Sequence, residues 1–218
     1  MSTDPLSPPV PVPGSAGRHA LLRRALGLEA LTIGWNLVEG VVGVSLAVAA
    51  GSVALLGFGI DSFVESASGG VIVWRLLAER STGEALRIAQ VERRAQRLVA
   101  ASLFALAAWI AFDGVRTLVA REEPEPSIAG IVLALVSMAL MWWLARAKRR
   151  VATAMHSHAL EADAFQTEAC WWLSLGVLVG VGLNGLFGWW WADPVAALAM
   201  AVYITREARL TWRGHGCC

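Results

Sequence analysis

Asp61 and Glu65 stand four residues apart in the stretch 51–70, GSVALLGFGIDSFVESASGG, whose other side chains are small or apolar. On an α-helix that spacing puts both carboxylates on one face about one turn apart, so two oxygen donors point the same way. An acid at the centre of a membrane span costs roughly 2.5 kcal/mol or more, and such acids line a polar path, bind an ion or carry a proton. Two carboxylates this close in a low-dielectric medium also repel, so a bound cation or a proton has to neutralise them. A second set lies in HSHALEADAFQTEAC (156–170), where Asp163, Gln166 and Cys170 fall three and four apart and share a helical face with Thr167. A third pair, Asn36 and Glu39, is three apart in another apolar run. We read it as interhelical hydrogen-bonding glue, with a proton-relay role for Glu39 as the alternative.

Membrane helices are the elements that must hold these residues. The 218 residues are 56% hydrophobic and only 16% charged, with 11 Trp and a mean hydropathy of +0.57, against about 25% charged in soluble domains. Residues 1–22 open with five prolines between positions 5 and 13 and no apolar block, which reads as a disordered tail and not as a signal peptide. Six spans follow within 23–210, at about 26–48, 53–77, 98–119, 128–144, 160–187 and 194–204. Residues 80–97 read as a polar solvent loop leading into the third span, and REEPEPS (121–127) as a loop broken by Pro124 and Pro126. Trp142 and Trp143, followed by Arg146, Lys148, Arg149 and Arg150, form an aromatic belt with a cationic anchor. Pro194 suits the first turn of the last helix, where its missing N–H has no helical partner.

Asp61 and Glu65 on the second span and Gln166 and Cys170 on the fifth would then meet near mid-membrane as a four-donor site, with Asp163 a spare acid nearby. Six spans put both termini on one side, and the basic residues say which. Sixteen of the 18 fall on the side of the termini and only Arg116 and Arg121 on the other, so the termini are expected in the cytoplasm. A formal net charge of +1 gives no reason to expect a nucleic-acid partner. The three cysteines, Cys170, Cys217 and Cys218, suggest no disulfide framework. His156 and His158 read as solvated residues at the membrane edge, and His215, Cys217 and Cys218 as part of a short flexible tail, 211–218, with no cytoplasmic domain after it.

Four motifs carry a family resemblance over roughly residues 23–209: GS-x-ALL at 51–56, DSFVE at 61–65, S-x-AL-x-ADA at 157–164 and W-x-DP-x-AA at 191–197. Together they resemble the transmembrane domain of the cation diffusion facilitator family, six-helix exchangers of metal for protons. The resemblance implies an all-α integral membrane fold, a homodimer, and a site for Zn²⁺ or a similar ion held by a pair of residues on the second helix and a pair on the fifth. Carried onto this chain, the pairs are Asp61 with Glu65 and Gln166 with Cys170. The family's fifth-helix pair is His and Asp, so the chain departs from it there. A thiolate is a good soft ligand, with Zn–S near 2.3 Å, whereas an amide is weak and does not titrate. Phe58 is a second departure, standing where the family often has an acid, and the expected lack of a cytoplasmic domain is a third.

The resulting expectation is a multi-pass protein of the cytoplasmic membrane, surrounded by lipid, that moves a divalent metal out of the cytoplasm against protons and is not an enzyme. The alternative is a non-transporting metal-binding sensor or partner subunit. An intramembrane enzyme finds no support, because no His-rich cluster or Ser-Lys pair is present.

Overall fold

The computed structural model describes residues 15–50, 53–81, 85–121 and 128–214. They form six helices: α1 (Ser15–Ala50), α2 (Val53–Ser81), α3 (Ala85–Ala120), α4 (Ile128–Met155), α5 (His158–Phe187) and α6 (Ala192–Trp212). No strand occurs among the described residues. The prolines of the tail, the links at 51–52, 82–84 and 122–127, the residues His215, Cys217 and Cys218, and the side chain of Phe58 lie outside the described residues.

Three stretches, 17–46, 86–120 and 131–155, are long and apolar enough to cross a membrane. α2 is interrupted by Asp61, Glu65 and Arg75, the residues that give it chemistry. Several helices run past the spans expected for them. α1 already starts at Ser15, inside the stretch expected as tail, where Leu22 is buried and Arg18 donates to Met155 O at 2.9 Å. α3 starts at Ala85, so most of the expected solvent loop at 80–97 is helix. The reason is periodicity. Ala95, Gln96, Val99, Ala100, Leu103, Leu106, Ala107 and Ile110 are buried at helical spacing, so one face continues unbroken into the bundle. α4 likewise carries its inner face from Met141 through Leu144, Lys148 and Val151 to Met155. Lys148 therefore belongs to the interior, which corrects its reading as part of a cationic anchor. Arg146 fits that reading, with its guanidinium 3.6 Å over the Trp142 ring.

α1 packs on α2, α4 on α5 and α3 on α6. The α1–α2 seam is the tightest: a Cβ on Gly59 would lie 2.9 Å from Val44 N and 3.0 Å from Gly40 O, a separation that only glycine allows. Leu22, Leu28, Ile72, Leu76, Val99, Leu144 and Leu160 belong to a core shared by α1 to α5, and Leu103, Phe165 and Ile204 to a second one between α3, α5 and α6.

The α4–α5 turn shows how the chain aims α5. His156 takes φ 51°, and Ser157 N returns to Ala152 O at 3.1 Å, ending α4 in a left-handed cap. Ser157 Oγ then accepts from Leu160 N at 3.2 Å and Glu92 from Ala159 N at 2.9 Å, so α5 starts on two capping oxygens. His158 is exposed beside Glu161, and His156 is exposed as well.

Candidate metal site between α2 and α5

Asp61 and Glu65 lie on the face of α2 turned toward α5. Cys170 donates its S–H to Asp61 Oδ2 at 3.3 Å, and Thr167 donates to Glu65 Oε1 at 2.7 Å. Glu65 and Thr167 are buried, and Cys170 is 9% exposed. A proton must sit on sulfur for the first of these bonds, so the thiol is what faces the acids here. Asp61 Oδ1 has no partner among the described residues. An uncommitted oxygen in an apolar bundle is costly to leave unpaired and is available to a cation.

Gln166 is on the same helical face but turns away. Its Oε1 accepts from Ser102 Oγ of α3 at 2.9 Å, while its Nε2 finds no partner among the described residues. Asp163 also leaves the pair. Its two oxygens take Lys148 Nζ at 2.6 Å and Ser68 Oγ at 2.9 Å. Of the expected donors, Cys170 thus lies against Asp61 and Glu65 against Thr167, while Gln166 and Asp163 bond to α3 and α4. Among the described residues no group of three or more His, Cys, Asp and Glu side chains lies close enough to hold a metal ion.

Glu39 bonds to two neighbouring helices. It is 3% exposed and accepts from Ser62 of α2 at 3.2 Å and from Ser137 of α4, whose own oxygen accepts from Trp35 Nε1 at 3.0 Å. The donor order Trp35 to Ser137 to Glu39 is fixed, because an indole only donates. Asn36, one turn back, is fully buried with neither amide atom partnered among the described residues.

The sequence reading missed the Lys148, Glu29 and Ser68 group, the role of Thr167 as donor to Glu65, and Ser102. A helical wheel of α4 would have flagged Lys148, since Leu144, Val151 and Met155 share its stripe.

The family model for the cation efflux transmembrane domain matches residues 30–213, which takes in both donor-bearing helices and the W-x-DP turn. The chain belongs to this cation efflux family. It is 32% identical over 157 residues, 69% of its length, to an uncharacterized transporter of Synechocystis sp., and 31% identical over 97 residues, 44% of its length, to a cation-efflux pump of Shewanella oneidensis. Those matches cover 49% of the first protein and 32% of the second, so the chain corresponds to about half or less of each. Within the matched domain, Asp61 and Glu65 of α2 bond across to Cys170 and Thr167 of α5.

Proposed function

We propose that this domain moves a divalent metal cation, Zn²⁺ first among candidates, out of the cytoplasm across the cytoplasmic membrane. One observation carries the reading. Two carboxylates and a thiol from α2 and α5 face one another inside a bundle of apolar helices, with one carboxylate oxygen uncommitted. Family membership and the similarity to a relative named as a cation-efflux pump agree with it.

In this reading a metal ion is substrate, held by Asp61 and Glu65 with Cys170 as the soft ligand that favours a thiophilic cargo. Binding displaces the thiol proton from Cys170. Once the metal has left, protons neutralise the acids in its place, which couples metal movement to a proton moving the other way. Glu39 extends the polar interior on α1 as the alternative proton carrier. Gln166 supports the site from the α3 side, and Asp163 acts from the cytoplasmic side. Six spans, cytoplasmic termini and a homodimer in lipid complete the proposal.

Proteoliposomes holding a Zn²⁺-sensitive dye under a pH gradient test it. The native protein should take up Zn²⁺ and Asp61→Ala should not. Cys170→Ser should keep part of the Zn²⁺ rate and lose more of the Cd²⁺ rate. A folded native protein that moves neither Zn²⁺, Cd²⁺, Mn²⁺ nor Fe²⁺ sinks transport and leaves metal binding by a sensor or partner subunit, the reading that the Gln166 and Cys170 departures would favour.

A further inference from the structure

A second set of buried charged groups lies one turn further toward the helix ends that carry Arg18 and Glu79. Lys148 of α4 is fully buried, with Nζ 2.6 Å from Asp163 Oδ2 on α5 and 3.0 Å from Glu29 Oε2 on α1. Both acids are themselves fully buried. Glu29 Oε1 has no partner among the described residues. One ammonium thus faces two carboxylates, and with all three ionised the set keeps a net negative charge. Such a set costs several kcal/mol per ion to desolvate, and well-packed apolar residues would often serve stability as well.

Its place in the fold argues for exchange. Thr167 Oγ1 lies 2.7 Å from Glu65 Oε1 and 3.3 Å from the Asp163 carbonyl oxygen, so one hydroxyl touches both sets. Ser68, bonded to Asp163, is three residues beyond Glu65 on α2. Polar groups therefore run continuously from Cys170 and Asp61 through Glu65 and Thr167 to Asp163 and Glu29, over about 10 Å of α5. The acid pair stands between the Arg18–Glu79 pair at the helix ends and the α2 carboxylates.

We propose that Glu29 and Asp163 form a staging site for the divalent cargo, occupied by the Lys148 ammonium until the metal displaces it. The inference rests on the transport reading above. Carboxylate oxygens with the Ser68 hydroxyl make a hard-donor set suited to a divalent cation. A dication brings twice the charge of the ammonium to the same two acids. The flexible four-carbon stem of lysine lets its head group move aside without unfolding α4. The displaced site then passes the metal one turn on to Glu65.

Equilibrium binding of Zn²⁺ to the detergent-solubilised protein tests the proposal. Lys148→Met removes the competing occupant, so this variant should bind Zn²⁺ at the Glu29 and Asp163 site at least tenfold more tightly than the native protein. The gain should persist in Lys148→Met/Asp61→Asn and vanish in Lys148→Met/Asp163→Asn. Equal affinity in the native protein and in folded Lys148→Met overturns the proposal. If Lys148→Met does not fold, Asp163→Asn reads the same site, since it leaves Lys148 paired with Glu29. It should raise the KM for Zn²⁺ several-fold with the maximal rate kept, and an unchanged KM overturns the proposal. The gain in affinity is read without transport, so a native protein that binds Zn²⁺ but moves none fails the transport reading alone.

Discussion

Gly59→Ala tests the seam that holds α2, and with it Asp61, against α1. A Cβ at this position would sit 2.8 Å from Val44 Cγ2, 2.9 Å from Val44 N and 3.0 Å from Gly40 O. Two of these atoms are backbone, so no rotamer change relieves the contact and the helices must part by roughly half an ångström, which forfeits about a quarter of the dispersion well for atoms along the seam. Overpacking of this kind costs about 1–3 kcal/mol. Alanine returns about 0.8–1.0 kcal/mol through its better helix propensity. The net loss is then about 0–2 kcal/mol.

Gly70→Ala is the matched control, because its Cβ would meet nothing within 4 Å. It keeps the propensity gain alone, so the two variants should differ by the overpacking cost, about 1–3 kcal/mol. At about 2–4 °C per kcal/mol for a chain of this size, that is a Tm difference of at least about 2 °C. Thermal unfolding of the solubilised protein, followed by tryptophan fluorescence, reads it. Gly59 is two residues before Asp61, so the parting also draws Asp61 from Cys170 and Ser62 from Glu39, and transport should fall in Gly59→Ala but not in Gly70→Ala. Equal Tm values for the two variants would refute the argument that backbone contact fixes this seam.

Thr167→Val removes the hydroxyl that donates to Glu65 Oε1. It should cost about 1–3 kcal/mol of stability, while Thr167→Ser restores most of it in the same melting assay. Arg75 is 3% exposed and sits 2.5 Å from both Glu79 and Glu92, the residue that also caps α5. Arg75→Gln takes the guanidinium from both acids but leaves Glu79 with Arg18 and Glu92 with the α5 cap, so it should cost about 1.5–3 kcal/mol, read as a lowered denaturation midpoint. Arg75→Lys should recover only part of that, since an ammonium cannot fork between two carboxylates as a guanidinium does.

The order of the apolar runs and the i,i+4 pair at Asp61 and Glu65 were legible in the sequence, because helical periodicity depends only on spacing along one chain. Helix ends were less so. The polar stretch after Arg80 looked like solvent loop by composition, yet its buried face at Ala95, Gln96 and Val99 continues the α3 stripe. Gln166 and Cys170 share a face by spacing, but a long amide can swing toward α3 where a short thiol cannot. Spacing alone does not separate the two, and the structure does so through Ser102.

By itself the sequence determined that this is a chain of apolar helices with acids inside them, because a carboxylate four residues from another in a run of that length is costly wherever the helix packs. Only the tertiary structure decided which polar groups meet. Lys148 reads along the chain as one more basic residue after an aromatic belt, and becomes a buried counter-ion because Glu29 and Asp163 approach it from α1 and α5. Whether a charge is an anchor in water or a partner in the core depends on what the neighbouring helices place opposite it. Residues 119 and 15 positions away supply that partner here, and only the folded bundle brings them within reach.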